Sequence, residues 1–266
     1  VEIEFVDPEL EPVLVRELGI TLDGEMIIDY DGRSEHITQH SEQAYTNALN
    51  RMARSEERFL VFVTGHGERD PLGQANHHLG QWGRQLSSKG IKVVTQNLAE
   101  RPNIADNTAA LVIAGPQVDL LPGEVKAIQD YVARGGSLLW LLDPGPLYSL
   151  QPLAEQLSLH LPDATIVDPT TQMFAIQDPR VALVTDYPHH PIHKGFSVMT
   201  LFPQARPIEI EESQQWEIKS ILQSLPRSWA ETGELSGNIQ YDSGADIKGP
   251  LNIGVVLTQA TTSEQE

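Results

Sequence analysis

The stretch Thr64-Gly65-His66-Gly67-Glu68-Arg69-Asp70 sets an imidazole and a carboxylate two residues apart in a loop bracketed by glycines. A histidine and a glutamate so spaced could work as a general acid/base pair or hold a metal ion together. The same residues also suit a plain turn, in which the glycines allow the bend while His66 and Glu68 bond neighbouring backbone or Arg69. Asp143, in Leu142-Asp143-Pro144-Gly145-Pro146, poses the same choice between facing a ligand and capping the turn before Pro144. Gly115-Pro116 marks a third loop of this kind. Further along, His189, His190 and His193 invite a zinc reading. Pro188 and Pro191 exclude a regular helical pair there, and no nearby acid has motif spacing. His77 and His78 are adjacent on what the periodicity makes a helix, where side chains point about 100° apart and cannot chelate together easily. No metal or cofactor is expected.

Other chemistries are excluded by what is missing. Gly65-x-Gly67 approaches a dinucleotide fingerprint, but Asp70 stands where the third glycine belongs and Gln96 where a ribose-binding acid would sit. The chain contains no Gly-x-x-x-x-Gly-Lys-Ser/Thr and no Gly-x-Ser-x-Gly, which removes a P-loop ATPase and the usual hydrolase elbow. Without cysteine there is no disulfide, thiolate metal site or cysteine nucleophile.

The elements that must position these loops follow from periodicity. Phe59–Val63 is an apolar run too short for a helix and rich in β-branched and aromatic residues, so it reads as a buried strand. Asp70-Pro71 then resembles a helix start, with Leu72, Ala75, Leu79, Trp82 and Leu86 on one face and a stop at Lys89-Gly90. Ile91–Thr95, Ala110–Ala114 and Leu138–Leu142 are further strands, with a helix on Leu121, Val125, Ile128 and Val132 between the last two. Such alternation predicts an α/β fold, a mostly parallel sheet with helices on both faces. Ligands of open parallel sheets bind outside the strand carboxyl ends, so the loops Gly65–Arg69, Gly115–Gln117 and Asp143–Pro146 should share one edge. Gly65, His66, Gly67, Glu68, Arg69, Gly115, Pro116 and Asp143 are its candidate ligand-binding residues.

Before this unit, Val1–Phe5 alternates as a strand and Asp7-Pro8 opens a short helix ending at Gly19. Glu25–Tyr30 and Glu35–Thr38 read as a hairpin turning at Asp31-Gly32-Arg33. That order fits part of a thioredoxin-like unit, and Ser41–Arg54 is a connecting helix capped by Ser41. Residues 1-54 thus form an N-terminal segment and 55-266 the main domain. In the latter, Pro152–His160 reads as a helix and Trp216–Leu222 as a weak one. Thr165–Val167, Ala182–Thr185, Val198–Leu201, Pro207–Ile210 and Leu251–Thr258 are strands completing the sheet and adding an irregular lobe.

The 266 residues carry 18 Lys plus Arg against 37 Asp plus Glu, a formal net charge of −19. Such a charge opposes nucleic acid and anionic headgroups alike. No apolar run spans a bilayer, and Val1-Glu2-Ile3-Glu4-Phe5 is neither signal peptide nor natural start. The expectation is a soluble fragment of a longer protein whose membrane segments lie outside this sequence.

Phe5-Val6-Asp7-Pro8, Glu17-Leu18-Gly19-Ile20, Tyr30-Asp31-Gly32-Arg33, Thr46-Asn47-Ala48-Leu49, Thr64-Gly65-His66-Gly67-Glu68, Val112-Ile113-Ala114-Gly115-Pro116, Gly135-Gly136-Ser137-Leu138-Leu139 and Leu142-Asp143-Pro144 occur in an order that resembles the GldG-type family. His190-Pro191-Ile192 and Lys248-Gly249-Pro250 add to the likeness. These are extracytoplasmic auxiliary proteins of an ABC transport system associated with gliding motility. The resemblance implies a core similar to class I glutamine amidotransferases (flavodoxin-like in outline) and to a domain shared with intraflagellar-transport proteins. It further implies a membrane-anchored protein on the periplasmic face of the bacterial inner membrane, with an ABC permease and ATPase as partners. Partner proteins or a glycan would bind at the strand edge. No catalytic residue is implied, and an amidotransferase would need the missing cysteine. The alternatives are an envelope sugar or peptide hydrolase using His66, Glu68 and Asp143, and a periplasmic solute-binding module.

Overall fold

Four short runs rich in apolar or β-branched residues become four parallel strands: β3 Phe59–Thr64, β4 Lys92–Asn97, β5 Thr108–Ala114 and β6 Leu138–Leu141. The numbers follow the whole chain, whose computed structural model describes residues 3–30, 33–38, 40–53, 58–236 and 239–259. The strand order is β4-β3-β5-β6, with Phe62 beside Thr95 and Val112, and Val112 beside Leu139. The chain therefore leaves β3 toward one side and returns on the other. The topological switch lies between the exits of β3 and β5, where the glycine loops emerge.

Because side chains alternate across a strand, the sheet sorts its own residues to two faces. Val61, Val63, Leu111 and Ile113 pack with Val125, Ile128 and Val132 of helix α4 (Pro122–Ala133). Phe62, Val112 and Ala114 pack on the other face with Leu79 and with Trp82 of helix α3 (Gly80–Ser88). Phe62 meets the Trp82 ring edge-on at 5.8 Å.

The predicted helix from Asp70 is half loop. Residues 71–79 form bends and turns, His77 and His78 lie in that loop rather than on a helix, and α3 begins at Gly80. The loop closes on itself through Leu79 N–H to Asp70 O at 2.9 Å, while Leu72 stays exposed and contributes nothing to a helical face.

Helix α5 (Gln151–Gln156) is shorter than predicted, because His160 belongs to strand β7 (Leu159–His160). The second half builds small antiparallel sheets of its own instead of completing the parallel one. Strand β7 pairs with β11 (Glu209–Ile210), and β9 (Val181–Val184) with β10 (Thr200–Pro203). Strand β13 (Trp229–Glu231) lies between β8 (Thr165–Val167) and β14 (Ile247–Lys248). The weak helix at Trp216–Leu222 is strand β12 (Trp216–Gln223), antiparallel to β15 (Asn252–Gln259). Its reason is period two: Trp216 and Ile218 turn toward the main core while Glu217 and Lys219 face water.

At the other end, helix α1 (Pro12–Glu17) precedes the antiparallel strands β1 (Met26–Tyr30) and β2 (Arg33–Ile37), and helix α2 (Glu42–Ala53) packs on them. Residues 3–5 form no strand. Val1, Glu2, Asp31, Gly32 and Arg54 lie outside the described residues. Ser41 caps α2 as predicted, its Oγ accepting from Ala44 N–H at 3.1 Å.

Glu25 anchors this segment by accepting from Thr21 N–H at 2.8 Å, Leu22 N–H at 3.2 Å and His36 Nδ1 at 2.5 Å. The Thr21 bond first, and the His36 bond next, hold its carboxyl down at about 2 against an ordinary 4.5. A lowered folded-state value stabilises above the unfolded one, so this contribution should disappear as pH falls from 4.5 through about 2. The stability gap between wild type and Glu25→Gln, followed by hydrogen exchange in β1 and β2, should close across that window.

Candidate functional site

Gly65, at φ +122°, and Gly67, at φ +81°, bend the chain sharply as it leaves β3. The turn drives His66 inward, where it is 8% exposed, with Glu68 equally buried. The His66 N–H donates to Glu68 Oε2 at 2.8 Å, and the His66 carbonyl accepts from Gln117 N–H at 2.7 Å. Its imidazole lies between two carboxylates: Nε2 is 3.0 Å from Glu124 Oε2, and Nδ1 is 3.4 Å from Glu68 Oε1. The second approach is too poorly aligned for a hydrogen bond, so His66 Nδ1, Glu68 Oε1 and Glu124 Oε1 have no hydrogen-bond partner. The carboxylates sit on opposite sides of the ring and do not converge, and the described residues contain no cluster able to hold a metal.

Glu124 is the partner that sequence reasoning missed. It occupies the third position of α4, where its Oε2 also accepts from Leu121 N–H at 2.9 Å. An acid there, two residues after Pro122, is an ordinary helix-start signal and gives no hint of a contact with His66.

Asp143 joins Arg69 rather than His66. The guanidinium grips its carboxylate through two bonds, at 2.7 and 3.1 Å, with both side chains about a third exposed. The pair lies across Gly115, whose backbone is left-handed at φ +63° and where a Cβ would come within 2.7 Å of both Arg69 Nη1 and Asp143 Oδ2. Gly115→Ala should therefore cost about 1–2 kcal/mol for the backbone alone and part the ion pair. Denaturant titration checks the energy, and loss of the paired geometry in a crystal structure checks the cause.

The ion pair borders a cleft of about 250 Å³ whose walls include Pro116, Gln117, Trp140, Tyr148 and Gln204. Arg69, Gly115, Pro116 and Asp143 of the predicted set line it; His66 and Glu68 do not, and Gly65 and Gly67 supply the sharp bend of the β3 exit loop. Tyr148 and Gln204 hold left-handed backbones at φ 48° and 53°, an arrangement that costs energy in non-glycine residues and gathers at functional sites. Below the cleft, buried Arg206 donates from Nη1 to Asp143 O at 3.1 Å and Gly145 O at 2.7 Å, and from Nη2 to Leu161 O at 2.7 Å. Asp163 completes the brace by accepting from Gly145 N–H at 2.8 Å. Neither residue was visible in the sequence as part of a site, because both reach the loop from the C-terminal half.

The geometry defines an α/β protein with a polar cleft beside the exits of its parallel strands, bordered by the Arg69–Asp143 ion pair. The chain belongs to the family described as ABC-type uncharacterized transport system, whose model matches residues 58–266. No curated protein matches it. Among solved structures it is similar to the one titled mmIFT52 N-terminal domain, at 13% identity and a TM-score of 0.51, over 66% of this chain and 81% of that one. That likeness concerns the fold. Among the described residues no helix is long and apolar enough to cross a membrane.

Proposed function

We propose that this chain is the extracytoplasmic part of a non-catalytic, GldG-type auxiliary subunit of an ABC transport system, anchored by segments outside this sequence. In this reading it sits on the periplasmic face of the inner membrane and receives a partner protein of the complex in the Arg69–Asp143 cleft. The family match supports the transport assignment. The main unit would be residues 55-266, consistent with a match that starts at residue 58, and the order α1-β1-β2-α2 suits a partial thioredoxin-like segment. A strand order that switches beside β3 suits kinship with flavodoxin-like and class I amidotransferase sheets.

The observation that carries the non-catalytic reading is the separation of the three predicted acid/base groups: Asp143 lines the cleft, while His66 and Glu68 do not. His66 is enclosed by Glu68 and Glu124, and Asp143 is held by Arg69. A hydrolase using His66, Glu68 and Asp143 would need the last to turn toward the first two, away from a two-bonded partner. A second binding reading, an uncharged glycan, draws on Trp140 and Tyr148 beside Gln117 and Gln204. Planar apolar faces among amide groups suit a sugar ring.

Affinity purification of the full-length protein from its native membranes tests the proposal. The expected result is co-recovery of an ABC permease and ATPase, reduced at least tenfold by Asp143→Arg and unaffected by His66→Gln. Reproducible absence of both subunits would overturn it.

A further inference from the structure

Strand β11 has one bonded edge and one bare one. In an antiparallel pair only alternate residues exchange hydrogen bonds across the ladder. Glu211 N–H reaches Ser158 O at 3.0 Å, so Glu209 and Glu211 bond toward β7, while Ile210, opposite Leu159, points its N–H and C=O the other way. On that other side Ile208 N–H meets Asn252 O at 2.9 Å, and the same register carried two residues on sets Ile210 across from Pro250. Proline has no N–H, so the chain itself gives the Ile210 carbonyl no donor there. The side chain is left open too: Ile210 is 40% exposed, against 8% for Ile208 on the same face of the strand.

Strand β14 presents a second bare edge. Gly249 N–H bonds Ser228 O at 2.8 Å, and by the same alternation Ile247 bonds toward β13 while Lys248, opposite Trp229, turns its backbone groups away from it. Ile210 and Lys248 line one open groove of about 550 Å³. The groove shares no lining residue with the Arg69–Asp143 cleft. Its apolar side is anchored in both halves of the protein, because Ile208 belongs to the main core, and Leu251 and Ile247 to the smaller cluster of the C-terminal half. Glu209 and Glu211 occupy the alternate positions of the β11 chain and give that wall a negative charge.

We infer that this groove is a strand-addition site: an extended, cationic peptide segment of a partner protein lies between β11 and β14 and exchanges backbone hydrogen bonds with Ile210 and Lys248. Unpaired N–H and C=O groups on a sheet edge are a template for another strand, with backbone pairing supplying affinity and alternate side chains supplying selectivity. The added strand turns the β7-β11 pair and the β14-β13-β8 sheet into one continuous sheet. Its inward residues are apolar, to cover Ile210 and Ile247. Its outward residues beside β11 are Lys or Arg: Glu211 has no ion pair among the described residues, and Glu209 has only His160, at 2.5 Å. A chain of net charge −19 also favours a cationic partner over a second copy of itself. What fills the Arg69–Asp143 cleft does not enter the argument, so the inference stands or falls apart from the proposed function.

Amide hydrogen exchange of the whole chain, with and without a short capped peptide that alternates Lys and Val, tests the site. The peptide at millimolar concentration should slow exchange at least fivefold at both Ile210 and Lys248. The same peptide N-methylated along its backbone keeps its charge but loses its N–H donors, and should protect neither amide. A peptide alternating Glu and Val should also fail. Glu211→Lys, a change at an exposed side chain, should weaken the Lys-Val effect at least threefold with the melting temperature unchanged, and the wild-type comparison of the three peptides needs no variant at all. Absence of protection at either amide, equal protection by the N-methylated peptide, or an undiminished effect in Glu211→Lys would each overturn the inference. So would protection that grows with protein concentration when no peptide is present, which would put a second copy of the chain in the groove.

Discussion

Arg206→Ala should lower the unfolding free energy by about 4 kcal/mol and the melting temperature by roughly 10 °C. Three carbonyls, of Asp143, Gly145 and Leu161, lose their donor in a place where Arg206 itself is 4% exposed. A buried acceptor left unpaired costs about 1–3 kcal/mol, so three of them set the scale. An opposing effect trims the sum. Burial draws the Arg206 guanidinium below the ordinary arginine range, with Asp163 pulling it partly back, so removing the cation relieves some desolvation. The acceptors win because they outnumber the cation three to one and the loop they belong to has no substitute donor from Arg206's side. Arg206→Lys separates charge from geometry: a single ammonium cannot span carbonyls on both sides of the cleft floor, so it should recover less than half of the loss. Denaturant unfolding measures the energy, and faster exchange at Gly145 N–H, the bond to Asp163, locates it. A loss under about 1 kcal/mol in Arg206→Ala would mean that water replaces the guanidinium at little cost.

Gly83→Ala and Gly123→Ala make the same chemical change in two helices and should act with opposite signs. Alanine is preferred over glycine inside a helix by about 1 kcal/mol, and that gain is available at both positions. At Gly123, in the first turn of α4, an added Cβ meets nothing within 4 Å, and the helix should gain most of it. At Gly83 the Cβ would fall 2.0 Å from Pro71 O, a backbone atom with no rotamer to escape into. The helix must back away from the 71–79 loop, taking Trp82 off Phe62 and stretching the contact of Gly80, whose own Cβ position is 1.9 Å from Gly73 O. Overpacking of this kind costs about 3 kcal/mol, so the net loss at Gly83 should be about 2 kcal/mol. Paired denaturation curves decide it; a stabilised Gly83→Ala would show that the loop, not the helix, yields.

The residues that carry chemistry were easier to find than their partners. Gly65, His66, Glu68, Gly115 and Asp143 announce themselves through strand-then-turn punctuation, and the structure brings all three loops to one edge. The pairing inside that edge went another way. His66, Glu68 and Asp143, which a hydrolase would use together, are separated into a Glu68–His66–Glu124 group and an Arg69–Asp143 pair. Arg69 is among the residues expected at the edge, though not as the partner of Asp143, and nothing in the sequence singles out Glu124.

The sequence by itself determined the four parallel strands, the helix between Pro122 and Ala133, and the glycine and proline exits. Each is written in a window of a dozen residues or fewer, through β-branched runs, helical spacing and turn residues whose preferences are local. Tertiary structure alone decided where α3 begins, because Gly80 and Gly83 are needed for contact with Gly73 and Pro71 and not for any pattern along the helix. It also decided that Trp216–Gln223 is a strand, since its hydrogen-bonding partner, β15, starts only at Asn252. Likewise Glu124 and Arg206 acquire their roles from segments tens of residues away, His66 and Glu124 being 58 positions apart. Backbone preference acts over one or two turns, whereas a buried polar group takes whichever partner the docked elements deliver. That delivery is settled by packing, and packing is not legible in a linear pattern.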